Sequence, residues 1–169
     1  MITLSFPTSA ELTAIKKLYT EAFPPEERRP WSSLAGDGNP ELRSIVRDGK
    51  LAGMISYWHF GTFAYIEHFA IDPSLRRGGT GSEVLTELRS RLGCPVVLEV
   101  ERPADSNPMA ARRIEFYRRN GFHVLSYDYI QPPYAPGLPS VPLLLMSTDS
   151  TITPTDVAAT LHHEVYGIR

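Results

Sequence analysis

The stretch Tyr65-Ile66-Glu67-His68-Phe69-Ala70-Ile71-Asp72-Pro73-Ser74-Leu75-Arg76-Arg77-Gly78-Gly79-Thr80-Gly81-Ser82, running on to Leu92, decides the fold. Its first part is apolar and rich in β-formers, so it reads as a strand from Phe63 that ends at Asp72-Pro73. Its last part puts Gly81, Leu85, Leu88 and Leu92 on one face of a helix. Between them a short loop delivers Arg76 to Ser82 into the helix start. Glycines let a backbone turn tightly and approach a ligand closely. A helix start leaves N–H groups unpaired and carries a partial positive charge. With Arg76 and Arg77 beside it, this segment is an anion site suited to a diphosphate. It lacks the Gly-Lys-Ser/Thr ending of a triphosphate-binding loop, and its glycine spacing is not that of a dinucleotide fold. The glycines alone also fit a plain loop and helix start.

Upstream, Ile2 to Phe6 is an edge strand. Thr8 and Glu11 form a capping-box pattern ahead of Leu12, Ile15, Tyr19 and Ala22 at helical spacing. Pro24 and Pro25 stop that helix, and a short polar helix is predicted over Glu26 to Leu34. Arg43 to Val46 and Leu51 to His59 read as strands joined by the hairpin signal Asp48-Gly49. Downstream, Pro95 to Val100 is an apolar strand, and Asn107-Pro108 is an N-cap and first-turn pair for a helix carrying Ala110, Ile114, Tyr117 and Gly121. Phe122 to Ile130 and Val141 to Met146 are late strands, and a last helix runs from Thr153-Pro154 to near Gly167. The order gives a mixed α/β sheet with helices on its faces.

The 169 residues suit one domain, 1–169, with a sizeable core. The net charge of −2 supplies no basic field for nucleic acid. No apolar run approaches the roughly 20 residues of a membrane span, so no membrane partner is expected. The single cysteine, Cys94, rules out an intrachain disulfide, and the N-terminus lacks the pattern of a signal peptide; both point to the cytoplasm. His162-His163 has no further ligands nearby, so no metal is expected.

Arg76-x-x-Gly79-x-Gly81 resembles the acetyl-CoA signature of the GNAT N-acetyltransferase superfamily, Arg/Gln-x-x-Gly-x-Gly/Ala. Phe69-Ala70-Ile71-Asp72-Pro73 is similar to that superfamily's fourth strand, and Glu115-Phe116-Tyr117-Arg118-Arg119-Asn120-Gly121-Phe122 to its later FYxxxGF element. The resemblance covers residues 43–130 by motif, and the C-terminal hairpin and helix, 122–169, by element order. It implies a central, mostly antiparallel sheet of six to seven strands flanked by helices, with acetyl-CoA as co-substrate and an amine as acceptor.

Carried over position by position, the resemblance implies that backbone N–H groups of Arg77, Gly78, Gly79, Thr80, Gly81 and Ser82 hold the pyrophosphate, beside Arg76. Backbone groups of Phe69, Ala70 and Ile71 would pair with the pantetheine arm like an added strand. One of those N–H groups would polarise the thioester carbonyl. Asn107 matches a position that contacts the cofactor arm, and Tyr117 matches the tyrosine that protonates the leaving thiolate. Glu67, on the strand before the cradle, leads as the base that deprotonates the amine, directly or through water. Glu99, interrupting the next apolar strand, is its rival.

Each residue also has a plainer reading. Tyr117 shares a face with Ile114 and fits a core tyrosine. Glu67 fits a surface glutamate paired with an arginine. His68 is expected to face away from Glu67 in a structural role, and Cys94 to be a core thiol. Phe23 to Trp31, the aromatic set Tyr57 to Phe60, and Tyr129 to Tyr134 are acceptor-wall candidates. The alternative to an active enzyme is a CoA-binding sensor or partner module with little catalysis. A homodimer through the edge of the late hairpin is a further expectation.

Overall fold

The computed structural model describes residues 1–169. The chain forms two compact units, Met1–Cys94 and Pro95–Arg169, so the junction falls inside the 43–130 stretch that carries the motifs.

In the first unit the element order is β1 (Ile2–Ser5), α1 (Ser9–Ala22), α2 (Trp31–Leu34), β2 (Glu41–Arg47), β3 (Lys50–His59), β4 (Ala64–Ile71) and α3 (Thr80–Leu92). The strands pair antiparallel in sequence order, with β1 at the edge as expected. The capping box forms: Thr8 Oγ1 accepts from the Glu11 amide at 3.2 Å, and Glu11 Oε2 accepts from the Thr8 amide at 2.9 Å. Asp48 and Gly49 both take positive φ, at 50° and 80°, as a tight hairpin turn between twisted strands demands.

Ala52 to Trp58 of β3 are buried without interruption, so both faces of this strand are covered. Ile15 and Tyr19 of α1 pack with Leu34, Leu42, Met54 and Ala70. The helix α3 buries Val84, Leu85 and Leu88, and Arg91 Nη1 donates to the Leu4 carbonyl of β1 at 3.0 Å. Gly53 of β3 lies opposite Ile71, where a Cβ would collide with the Ala70 carbonyl oxygen; only glycine lets β3 and β4 approach so closely there.

The polar helix predicted over Glu26 to Leu34 does not form. Proline interrupts it: Pro25–Glu27 is a single 3₁₀ turn and Pro30 precedes the one-turn α2. Proline has no N–H to give to a helical ladder.

The second unit contains β5 (Val96–Glu101), α4 (Pro108–Arg119), β6 (His123–Gln131), β7 (Val141–Ser147) and α5 (Pro154–Thr160). The strand β7 pairs antiparallel with both β5 and β6. With four strands in the first unit and three here, the expected six to seven is met, and every one of these pairings is antiparallel. The last helix changes character: Leu161–Val165 continues α5 as a π-helix, with the Tyr166 amide donating to the Leu161 carbonyl at 3.2 Å.

Candidate active site

In the first unit the candidate cradle is a helix start preceded by two left-handed residues. Asp72 ends β4 and accepts from the Ser74 amide and hydroxyl, at 2.9 and 2.7 Å, which shapes the turn out of the strand. Those bonds hold its carboxyl below the usual range. Arg77 and Gly79 then take φ of 78° and 74°. For Gly79 this conformation is free of strain, whereas for Arg77 it costs about 1–2 kcal/mol. Strained residues of this kind concentrate where a loop is shaped for a ligand. The first bond of the α3 ladder runs from the Glu83 amide to the Gly79 carbonyl at 3.1 Å, so the N–H groups of Thr80, Gly81 and Ser82 precede the ladder.

The side chains around this loop are largely basic. Arg76 and Arg77 are exposed, and Arg76 Nε donates to the Ile71 carbonyl at 3.3 Å. A third arginine was not foreseen. Arg47, at the end of β2, donates to the Gly78 carbonyl at 3.0 Å and to the Thr80 hydroxyl, and pairs with Glu83 at 3.3 Å. Thr80 is buried and its hydroxyl is engaged in this brace. A strand residue 31 positions before Gly78 leaves no local spacing signal.

Phe69, Ala70 and Ile71 lie opposite Ile55, Met54 and Gly53 in the β3–β4 ladder. Just upstream the register shifts: Ser56 lies opposite His68 and Tyr57 opposite Ile66, which makes Glu67 the extra residue of a β-bulge. The Glu67 side chain has 0% exposure, and its partner Arg29 has 11%. Arg29 Nε donates to Oε1 and Oε2 at 3.2 and 3.1 Å, Arg29 Nη2 donates to Oε2 at 3.1 Å, and Trp58 Nε1 donates to Oε1 at 2.8 Å. Glu67 is thus paired with an arginine in the interior, not at the surface.

The expectation that His68 faces away from Glu67 meets a correction. Both residues hold the connection after α1, Glu67 through Arg29 and His68 through an Nε2–H bond to the Glu27 carbonyl at 2.7 Å. A bulge breaks strict alternation, which the sequence pattern assumes. His68 is buried, with its ring edge-on to Tyr19 and Phe23 at 4.9 and 4.8 Å, and burial lowers its pKa from the usual 6.5. Of the aromatic set, Tyr57 and Trp58 are buried and His59 is exposed.

In the second unit Tyr117 is half-buried near the end of α4. Gly121, at φ 88°, reverses the chain after the helix, and Phe122 returns to pack on Tyr117 with ring centroids 5.5 Å apart. Burial pushes the Tyr117 phenol up to about 12, against a lowering pull from Arg113. Its proton therefore stays in place at neutral pH, as a proton donor requires.

Asn107 occupies the N-cap of α4, but its side chain does not cap the helix. Its Nδ2 donates to Glu101 Oε2 at 2.6 Å, and Arg113 pairs with the other oxygen of Glu101 at 3.4 Å. That bond runs to a charged acceptor, which makes it stronger than one between neutral groups.

Glu99 accepts from the Tyr166 hydroxyl at 2.7 Å. Tyr129 feels the same carboxylate: burial first, then Glu99, raises its phenol far above the ordinary value. Tyr166 itself packs against Tyr134 with the rings tilted and their centroids 5.1 Å apart. The π-helix puts Tyr166 in place, and no spacing in the sequence links it to Glu99, 67 positions away.

Cys94 is half-buried and burial pushes its thiol up, so it is not primed as a nucleophile. His162 Nε2 donates to the Ile130 carbonyl at 2.9 Å, and His163 Nδ1 lies 3.1 Å from Glu164 Oε1. No helix is long and apolar enough to cross a membrane.

A model described as the acetyltransferase (GNAT) family matches residues 12–122. A solved GNAT-family protein from Bacteroides thetaiotaomicron is 38% identical, with 99% of each chain covered and a TM-score of 0.88. The ribosomal-protein-S18-alanine N-acetyltransferase from Escherichia coli is 22% identical over 87% of this chain and 92% of its own, with a TM-score of 0.59. Arabidopsis thaliana Naa50, solved with the bisubstrate analogue CoA-Ac-MVNAL, is 18% identical over 86% of this chain and 97% of its own, also at 0.59. The last two likenesses are of fold alone. No curated protein matches the chain.

Proposed function

Because the chain belongs to the acetyltransferase (GNAT) family, we propose that it moves the acetyl group of acetyl-CoA to a primary amine, on a small molecule or a peptide, by direct attack. The observation that carries this reading is the left-handed pair Arg77 and Gly79 at the head of α3. It points N–H groups and a helix dipole at one place, with Arg76, Arg77 and Arg47 around it. A pyrophosphate fits that chemistry: it is a doubly charged anion with oxygens spaced for several N–H donors.

In this reading the amides from Arg77 to Ser82 hold the pyrophosphate, and the backbone of Phe69, Ala70 and Ile71 orients the pantetheine arm. The amine nitrogen bonds to the thioester carbonyl carbon and the carbon–sulfur bond breaks. Tyr117 gives its proton to the departing thiolate, a role that its protonated state supports. Asn107, at the start of α4, contacts the cofactor arm, with Glu101 at the end of β5 orienting its side chain.

Of the two carboxylates, we assign the proton from the amine to Glu99, directly or through water. Glu99 accepts from a neutral tyrosine hydroxyl, whereas both oxygens of Glu67 are held by a cation. A homodimer through β6, the outer strand of the second unit, and a cytoplasmic location rest on lighter ground: an open strand edge and the single Cys94.

The test is release of free CoA from acetyl-CoA against a panel of polyamines, aminoglycosides, amino acids and peptide N-termini, run beside calorimetry with CoA. Turnover with one amine class supports the reading. Tight CoA binding with no turnover across the panel makes the chain a CoA-binding module instead, and no CoA binding removes both.

A further inference from the structure

A carboxylate can serve a reaction by taking a proton or by holding other groups in place, and the two leave different marks. Glu67 bears the marks of the second. Its side chain has no exposed surface. Its oxygens accept from Arg29 and from the Trp58 indole, at 2.8 to 3.2 Å. A proton arriving on Glu67 would leave the guanidinium of Arg29 buried without its counter-charge.

The partners of Glu67 are fastened in turn. The Arg29 guanidinium lies 5.5 Å from the Trp58 ring centroid, and its Nη1 donates to Ser33 Oγ at 2.9 Å. The Tyr19 hydroxyl accepts from the Arg29 amide at 2.7 Å and donates to the Arg29 carbonyl at 3.1 Å. Next door, His68 holds the Glu27 carbonyl. The bulge residue of β4 and its neighbour therefore clamp the whole proline-rich connection from Phe23 to Leu34. Phe69 begins only two residues after Glu67. A bulge is a place where strand register can slip, and slip there would carry Phe69 to Ile71 with it.

We propose that Glu67 is a positioning residue: with Arg29 it locks the β4 bulge and the Phe23–Leu34 connection, and it takes no proton from the acceptor. This rests on the acetyl-transfer reading for its kinetic consequence, but not for its structural one, so the two can fail separately.

The experiment compares Glu67→Gln, Arg29→Gln and the double variant. Amide hydrogen exchange, which needs no substrate, reports the clamp. Faster exchange over residues 23–34 and 69–71 in both single variants is expected, and unchanged exchange overturns the proposal. Kinetics with the best amine report the role. Each single variant should lower kcat/KM at least tenfold while keeping the acidic limb of its pH profile, and the double variant should lose no more than the worse single. Loss of the acidic limb in Glu67→Gln alone, with the limb kept in Arg29→Gln, makes Glu67 the base and overturns it. If Glu67→Gln does not fold, the double variant is read the same way, since it buries no uncompensated charge: a kept limb supports the positional role and a lost limb overturns it. Absence of turnover in the unmodified protein would remove the acetyl-transfer reading and leave the exchange arm standing.

Discussion

The Arg47 guanidinium, at the end of β2, donates to the Gly78 carbonyl 3.0 Å away and so ties the edge hairpin to the head of α3. It also reaches the Thr80 hydroxyl and Glu83. One arginine thereby sets the shape of the loop and adds charge to it. Arg47→Ala is expected to raise KM for acetyl-CoA about three- to tenfold, consistent with loss of charge-assisted bonds in a partly exposed place, with little change in kcat. Arg47→Lys should recover only part of that, since a lysine cannot reach several acceptors as a fork. A KM unmoved by either substitution would show that the loop holds itself.

Desolvation of the half-buried Tyr117 pushes its phenol up to about 12, so it keeps its proton far above neutral pH. Tyr117→Phe should lower kcat about a hundredfold, within the usual range for a lost proton donor, and leave the calorimetric affinity for CoA within about twofold of the unmodified value. The alkaline limb of the unmodified enzyme should not appear below about pH 10. Unchanged turnover in the phenylalanine variant would return Tyr117 to the core.

The Tyr166 hydroxyl donates to Glu99 at 2.7 Å and so helps hold the carboxylate in place. Glu99→Gln should remove or displace the acidic limb of the kcat/KM profile. Tyr166→Phe should also alter that limb, because a hydrogen bond to the carboxylate is lost. If neither substitution shifts the profile, the base lies elsewhere.

His68 is buried beside Tyr19 and Phe23, and burial lowers its pKa below 6.5. The unfolded chain therefore binds this proton more readily than the folded one. The neutral ring's contribution is complete above pH 6.5 and is lost as pH falls towards the depressed folded value. Between pH 6.5 and 5 the stability slope from this group is at most about 1.4 kcal/mol per pH unit. Thermal melts of the unmodified protein and of His68→Gln across that range check it. The melting temperature of the unmodified protein should fall more steeply. Parallel curves would mean that His68 charges in place.

Much of the fold is legible in local pattern. The capping box at Thr8 and Glu11, the Asp48-Gly49 turn and the α3 and α4 faces all form as the spacing predicts, because each depends on neighbours a few residues apart. The loop into α3 is legible for the same reason: Arg76 to Ser82 is one turn of loop followed by one turn of helix. Prolines read as stops, and the polar helix predicted over Glu26 to Leu34 breaks into two short turns, each preceded by a proline.

The chemistry of the carboxylates was not legible. Glu67 and Glu99 look alike in sequence, each a single acid on an apolar strand. The difference between them lies in what comes from far away: Arg29, 38 positions from Glu67, and Tyr166, 67 positions from Glu99. A bulge that the pattern cannot show turns Glu67 and His68 towards the same connection.

The sequence by itself therefore determined the family, the glycine-rich loop into α3 and the element order, since these are written in glycine, proline and apolar spacing over short range. Only the tertiary structure decided which carboxylate is locked to a cation, which arginine braces the cradle and where Asn107 spends its side chain. Those outcomes depend on burial and on hydrogen-bond partners that the chain brings together only when it packs.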